Sequence, residues 1–332
     1  MDCLVTGGAG FIGSHVVEGL VGRGDSVRVL DNLATGKREN LAPWLGKIEL
    51  LEGDITDART CARACERIEV VFHLAALPSV PKSVADPVST HRTNTDGTFN
   101  MLVAARDAGA RRFVYAASSS AYGESATLPK VESMPPQPLS PYAVQKLTGE
   151  YYCSVFAKCY GLQTISMRYF NVFGPRQDPT SQYAAAIPAF VTAILRDCSP
   201  TIFGDGEQTR DFTYIENAVR ANLLAADAAT TNGEVINVAC GEHVTVNMIV
   251  REINRLLNKN VPAKHDPPRM GDIRHSWADI GLAGRVIGYR PAVPFSEGLR
   301  RTIDWYAGNV PGCEDSGPSG KQKSAKCRGG VA

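Results

Sequence analysis

The chain has 332 residues, 44% hydrophobic and 21% charged, with 35 basic against 34 acidic side chains. That is enough for about two domains and a sizeable core. The formal net charge of +1 excludes the long-range field that gathers nucleic acid or an anionic membrane. No apolar run approaches the roughly 20 residues of a bilayer span. Met1-Asp2-Cys3-Leu4-Val5-Thr6 lacks the basic start and apolar stretch of a secretory signal. Nine scattered cysteines, odd in number and without a CxxC pair, fit reduced thiols rather than disulfides or a metal site. A cytoplasmic protein with no metal, no membrane anchor and no nucleic-acid partner is therefore expected.

In chain order, Leu4–Thr6, Ser26–Leu30, Ile48–Leu51, Val70–Leu74 and Phe113–Ala117 read as strands. All are short, β-branched or aromatic, and apolar on both faces, as buried parallel strands are. Helical stretches Phe11–Val21, Thr93–Ala108 and Pro141–Tyr160 lie between or after them, the last opened by Ser140-Pro141. This alternation predicts an α/β fold, a Rossmann-type doubly wound parallel sheet. Past residue 172 glycine and proline loosen the pattern; a strand over Val235–Ala239 and a helix over Val246–Leu257 follow. A smaller, interleaved C-terminal α/β substrate lobe is expected. The division is 1–172 for the dinucleotide lobe, with 213–239 returning to it, and 173–212 plus 240–310 for the substrate lobe. Residues 311–332 are small, polar and without periodicity, the composition of a disordered tail.

Chemistry enters at the strand ends. Thr6-Gly7-Gly8-Ala9-Gly10-Phe11-Ile12-Gly13 follows the first strand and opens the first helix. Gly7, Gly10 and Gly13 permit a tight turn and close backbone approach to a pyrophosphate, while the N–H groups around Phe11 and Ile12 begin the helix. Asp31-Asn32, eighteen residues beyond Gly13, ends the second strand, where a carboxylate takes ribose hydroxyls and repels a 2′-phosphate. NAD is favoured over NADP. Asp54-Ile55 is placed to meet adenine, and the small residues of Leu74-Ala75-Ala76 let the backbone pass close to the cofactor. His73 is read as structural. Tyr142 and Lys146 stand at i and i+4 on one helix face. A phenol with a pKa near 10 becomes a usable base beside an ammonium and the positive nicotinamide ring. Ser118-Ser119-Ser120 ends the fifth strand, where parallel sheets bind ligands.

In order, these motifs, with Arg168-Tyr169-Phe170-Asn171, Arg210-Asp211-Phe212 and Arg269-Met270-Gly271-Asp272, resemble the extended short-chain dehydrogenase/reductases of the nucleotide-sugar epimerase/dehydratase family, over roughly 1–307. The resemblance implies a homodimer pairing the helices near 98–108 and 141–160, with NAD in the first lobe and a UDP-sugar in the second. It adds Asn94 and Tyr169 to the cofactor contacts. It implies Tyr142 as the base at sugar O4′, Lys146 beside it, and Ser118 as a hydrogen-bond partner of O4′, with Ser120 a weaker candidate. Asn171 would touch the sugar or the diphosphate, Ala185, Ala186 and Ser276 would lie beside the sugar, Phe203 would contact the substrate, Arg210 and Arg269 would clamp the diphosphate, and Asp272 would take the uridine ribose. Dehydratases of this family carry an acidic pair, and decarboxylases a Glu, where this chain has Ser119 and Ser120. The implied reaction is 4-epimerisation, of UDP-GlcNAc and UDP-GalNAc where Ser276 replaces a bulky Tyr. UDP-glucose or UDP-glucuronate epimerisation, a dehydrogenase or reductase, and a non-catalytic NAD sensor are the alternatives.

Overall fold

A computed structural model describes residues 1–179, 186–268 and 273–309. The first half runs β1 (Asp2–Thr6), α1 (Phe11–Arg23), β2 (Ser26–Asp31), β3 (Ile48–Glu52), α2 (Ala58–Cys65) and β4 (Val70–His73). Short helices α3 (Val80–Ala85) and α4 (Pro87–His91) lead into a π-helical turn, Arg92–Gly97, then α5 (Thr98–Asp107) and β5 (Arg112–Ser118). A 3-10 turn, Ser119–Tyr122, precedes α6 (Pro141–Tyr160) and β6 (Gln163–Tyr169). Then come β7 (Val172–Phe173), α7 (Ala186–Leu195), β8 (Thr201–Phe203), β9 (Thr209–Arg210), β10 (Thr213–Tyr214), α8 (Ile215–Asp227) and β11 (Glu234–Val238). The remaining elements are β12 (Val244–Thr245), α9 (Val246–Leu256), β13 (Lys264–Asp266), β14 (His275–Ser276), α10 (Gly281–Ile287) and α11 (Phe295–Asn309).

Seven strands form one parallel sheet in the order β11-β6-β5-β4-β1-β2-β3. The order reverses between β1 and β4, which opens a crevice at the carboxyl ends of those strands. Strand residues alternate between two cores: Cys3 and Val5 face α1, while Leu4 faces the layer of α2, α5 and α6. The later short strands make three small sheets, β10-β7, β12-β9-β14 and β13-β8. Among the described residues no helix is long and apolar enough to cross a membrane.

One element departs from the expected pattern. The single helix read over 93–108 is α5 preceded by the π-helical turn. The wider turn seats Gly97 against Ile55, where a Cβ would lie 2.7 Å from the isoleucine side chain. π-Turns of this kind gather at functional sites, and Asn94 lies in this one. The 311–332 segment falls outside the described residues.

α6 positions the site because it lies very close to β5. Ser140 caps it by accepting from the Ala143 N–H, Pro141 fits the first turn, and Gly161 ends it at φ +71°. The approach depends on Gly149, where a Cβ would overlap the Tyr115 hydroxyl. Gly149→Ala is expected to destabilise the fold by about 1–3 kcal/mol through overpacking. Urea unfolding measures it, and an unchanged midpoint would show that the helix can shift freely.

Candidate active site

The glycine cradle is built as a phosphate site. Gly7 holds φ +69°, and a Cβ there would come within 2.7 Å of the Ala75 backbone nitrogen. At Gly13 it would overlap the Gly7 carbonyl oxygen. α1 starts at Gly10 with no capping side chain and no acid in its first turn. Phe11, Ile12 and Gly13 thus begin a helix whose N–H groups and positive dipole end suit a pyrophosphate. Asp31 closes the cradle: its carboxylate accepts from the N–H of Ala9 (2.9 Å) and of Leu33 (2.8 Å). Burial pushes its pKa up, and those two N–H bonds oppose the rise. The nearby basic groups are engaged elsewhere, Arg28 with Glu49, Lys37 with Asp178 and Arg38 with Glu52. A dinucleotide without a 2′-phosphate fits this cradle.

Asn32 donates to Asp54 (2.8 Å), which ties the ends of β2 and β3. Burial pulls the Asp54 carboxyl up, but the N–H of Thr56 and the Asn32 amide outweigh it and hold the pKa low. Leu74, Ala75 and Ala76 follow β4 as an irregular, partly exposed stretch. His73 hydrogen-bonds Thr6 and Thr98 (2.8 and 2.9 Å), and burial pushes its pKa down to about 3. It is a neutral core residue. Asn94 accepts from the Leu77 N–H and donates to Leu77 O and Gln145, so its side chain holds the loop after β4. The Tyr169 phenol accepts from Asn222 on α8 (2.7 Å). Cofactor contact at Tyr169 would therefore fall to its main chain.

Tyr142, Lys146 and Ser118, the residues read as catalytic, meet where α6 lies on the end of β5. The Tyr142 N–H donates to Ser83 Oγ (3.0 Å), fixing the helix start against α3. Lys146 is 4% exposed; its ammonium donates to Ala116 O (2.8 Å) and stands 5.1 Å from the Tyr115 ring centre. Burial lowers its pKa to about 8. Ser118 Oγ accepts from both the N–H and the hydroxyl of Ser120 (3.2 and 2.9 Å). Its own proton is then directed at the Tyr142 phenol. Here the expected electrostatics need correcting. Burial raises the Tyr142 pKa, and the group opposing the rise is the Ser118 hydroxyl. The Lys146 ammonium is turned toward a carbonyl.

On the substrate side, Arg210 on β9 and Ser276 on β14 are register partners. Asn171, at φ +33° just beyond β6, donates to Asp211 O (3.0 Å), and the Asp211 N–H donates to Ser276 O (3.0 Å). These contacts bring Asn171, Arg210 and Ser276 together. Phe203 ends β8 in a different small sheet, and Ala186 opens α7. Ala185, Arg269 and Asp272 lie outside the described residues. Asp211 had no role assigned from the sequence, yet its carboxylate gathers the N–H groups of Cys240, Gly241 and Ala278. Burial pushes its pKa up to about 6. An acid between Arg210 and Phe212, in the link from β9 to β10, was the available signal. Among the described residues no cluster of His, Cys, Asp and Glu could hold a metal ion.

Residues 3–239 match the model of the NAD dependent epimerase/dehydratase family. The structure of a UDP-N-acetylglucosamine 4-epimerase from Methanobrevibacter ruminantium, in complex with UDP-N-acetylmuramic acid, is 41% identical with a TM-score of 0.89. That match covers 92% of this chain and 98% of the other. The UDP-glucose 4-epimerase of Thermus thermophilus, in complex with NAD, is 38% identical with a TM-score of 0.86, over 93% of this chain and 100% of that one. A UDP-N-acetyl-alpha-D-glucosaminuronate decarboxylase from Bacillus cytotoxicus is 33% identical over 316 residues, 92% of this chain and 97% of the relative. Likeness of this extent, on a glycine cradle and a helix-start tyrosine so arranged, makes the chain a member of the NAD-dependent epimerase/dehydratase family, with NAD as its cofactor.

Proposed function

We propose that this chain is a UDP-hexose 4-epimerase that interconverts UDP-GlcNAc and UDP-GalNAc and turns over UDP-Glc and UDP-Gal more slowly. One observation carries the reaction class: the turn from Ser118 to Gly123 presents serines at 118, 119 and 120 and no carboxylate. Expelling water or carbon dioxide from a 4-keto sugar needs acid/base groups there that hydroxyls cannot replace. Tyr142 takes the O4′ proton, Ser118 holds O4′ and passes the proton on, and Lys146 supplies the local positive charge. NAD, when bound, accepts and returns the electrons and hydrogen at C4′. Arg210 and Arg269 clamp the diphosphate as guanidinium forks, and Asp272 takes the uridine ribose.

Tyr142→Phe keeps the ring but loses the exchangeable proton. We expect turnover to fall by a factor of about 10² or more while NAD and UDP-sugar still bind. Near-normal turnover in this variant would remove the mechanism. The pH profile follows from Lys146. Its ammonium is present below about 8 and lost above, so activity should decline as pH rises through that value. The sign for stability is opposite. The unfolded lysine binds its proton up to about 10.4, so this group's contribution to stability rises with pH between the two values. A rate that stays flat into that alkaline window would show that the Lys146 charge is dispensable.

Relatives described for both hexose types match at similar identity, so the choice of sugar rests on residue 276. Ser276 is small and half-buried beside Arg210, and Trp277 next to it packs on His243, ring centres 5.6 Å apart. A bulky residue at 276 would overlap an N-acetyl group, and a packed wall does not relieve overlap cheaply. Ser276→Tyr should therefore cut turnover of UDP-GlcNAc about tenfold or more relative to UDP-Gal. Equal losses would show that Ser276 is not the gate. α5 and α6 also leave Phe99, Val144, Tyr151, Val155 and Tyr160 exposed. We infer that they pair with a second copy, a homodimer that light scattering would read directly; a monomer would refute it.

A further inference from the structure

Behind the strand-end serines runs a buried chain of contacts that the reaction as described does not use. Arg168 on β6 and Glu150 on α6 are joined by two parallel bonds, Nε to Oε1 at 2.9 Å and Nη2 to Oε2 at 2.7 Å. Both side chains are almost fully enclosed, 4% and 2% exposed. The guanidinium carbon sits 4.6 Å from the centre of the Tyr122 ring. Tyr122 is the last residue of the 3-10 turn that holds Ser119 and Ser120. Its hydroxyl donates to Asn237 Oδ1 on β11 (2.7 Å).

A buried ion pair is a poor way to add stability, because apolar residues of similar volume commonly serve as well. What it does supply is direction. A two-pronged fork fixes the guanidinium plane relative to the helix that carries the carboxylate. An aromatic ring laid on that plane is then held in turn. α6 carries Glu150, Lys146 and Tyr142 on successive turns, and the 3-10 turn carries Ser120, bonded to Ser118. The two halves of the proton-handling group come from different elements, and this contact refers one to the other.

We propose that Arg168 is a positioning residue: gripped by Glu150 and laid against Tyr122, it keeps the Ser118 and Ser120 hydroxyls aligned with the Tyr142 phenol. The inference rests on the epimerase reading above for its role in turnover, but not for the geometry it holds. Ser118 and Tyr115 on β5 interact with the Tyr142 phenol, Ser83 on α3 holds the Tyr142 main chain, and the Tyr115 ring has the Lys146 ammonium on one side and His73 of β4 stacked on it. Burial keeps Tyr115 and His73 neutral, so burial and the Ser118 hydroxyl set the proton affinity of the phenol.

The test compares Tyr122→Leu, which removes the ring platform, with Tyr122→Phe, which keeps it and loses only the hydroxyl, with its contacts to Asn237 and Arg168. A double variant, Glu150→Gln with Arg168→Gln, removes the pair without stranding a buried charge. Unfolding temperature and NAD content per chain track folding. Two quantities are read: turnover per NAD-loaded site across pH, and the phenolate absorbance of each protein minus its Tyr142→Phe counterpart. In Tyr122→Leu and the double variant, turnover should fall about tenfold or more with little change in the KM for sugar. The Tyr142 titration should move up by about half a pH unit or more, the equivalent of a lost hydrogen bond. Tyr122→Phe should behave as the unaltered protein. Loss of amplitude with an unmoved titration would make the contact merely structural, and a Phe variant that matches Leu would assign the effect to the hydroxyl and not to the ring laid on Arg168; either overturns the proposal. The absorbance titration needs no substrate, so a protein that epimerises no UDP-hexose defeats the functional reading while this one is still decided.

Discussion

The site depends on how closely α6 lies on β5. With no side chain at Gly149, the Tyr115 hydroxyl reaches the helix backbone and donates to Lys146 O (3.3 Å). The Lys146 side chain returns the contact by donating to Ala116 O. A buried ammonium without a carboxylate at its tip is costly in a medium of low dielectric, and a strand carbonyl offsets only part of that cost. The remainder appears as the lowered pKa. The same closeness that seats Lys146 also encloses Tyr142, whose proton is thereby held more tightly than a free phenol holds it. One packing decision thus sets the proton affinities of both groups, in opposite directions.

The parallel sheet turns this local geometry into a site. Each strand delivers one piece at its carboxyl end: β1 the glycine turn, β2 Asp31, β5 Ser118, and β6 Asn171 just beyond it. Because the order reverses between β1 and β4, the connections leave in opposite directions and a crevice remains between them. β11 returns to the far edge beside β6, and the Cys240 and Gly241 N–H groups that follow it bind Asp211. The same carboxylate binds the Ala278 N–H, two residues past Ser276. Asp211 is the point at which the small sheets are fastened to the large one.

What the sequence makes legible is what depends on neighbours in the chain. The Gly7–Gly13 cradle, the Ser140-Pro141 helix start and the Tyr142–Lys146 face follow from backbone chemistry within a few residues. So do the five early strands, whose ends shift by one or two positions. The π-turn at Arg92–Gly97 was not legible, because no local pattern marks it and its contact at Gly97 is with Ile55 of a distant segment. Nor was the Arg168–Glu150 pair, although a carboxylate one turn beyond Lys146 on a buried face was a hint. Asn94 and Tyr169 show the same limit from the other side. Their identities are family marks, but their side-chain partners, Leu77 and Asn222, come from elsewhere in the fold.

The three serines at the end of β5 show how small a change redirects such a scaffold. A carboxylate at 119 or 120 would stand beside a phenol whose pKa burial has already raised. Like charge would disfavour the phenolate further, and the acid itself would be poised to protonate a leaving group. A neutral hydroxyl does neither. Ser120 donates to Ser118, so the Ser118 proton points at the phenol oxygen and favours its charged form. That arrangement agrees with the proposed exchange at one sugar oxygen, and an elimination would need an acid this turn does not carry. Relatives described as epimerases and as a decarboxylase share the fold over nearly their full lengths. The fold therefore does not separate the reactions, and the proposed epimerase reading rests on the side chains of this single turn.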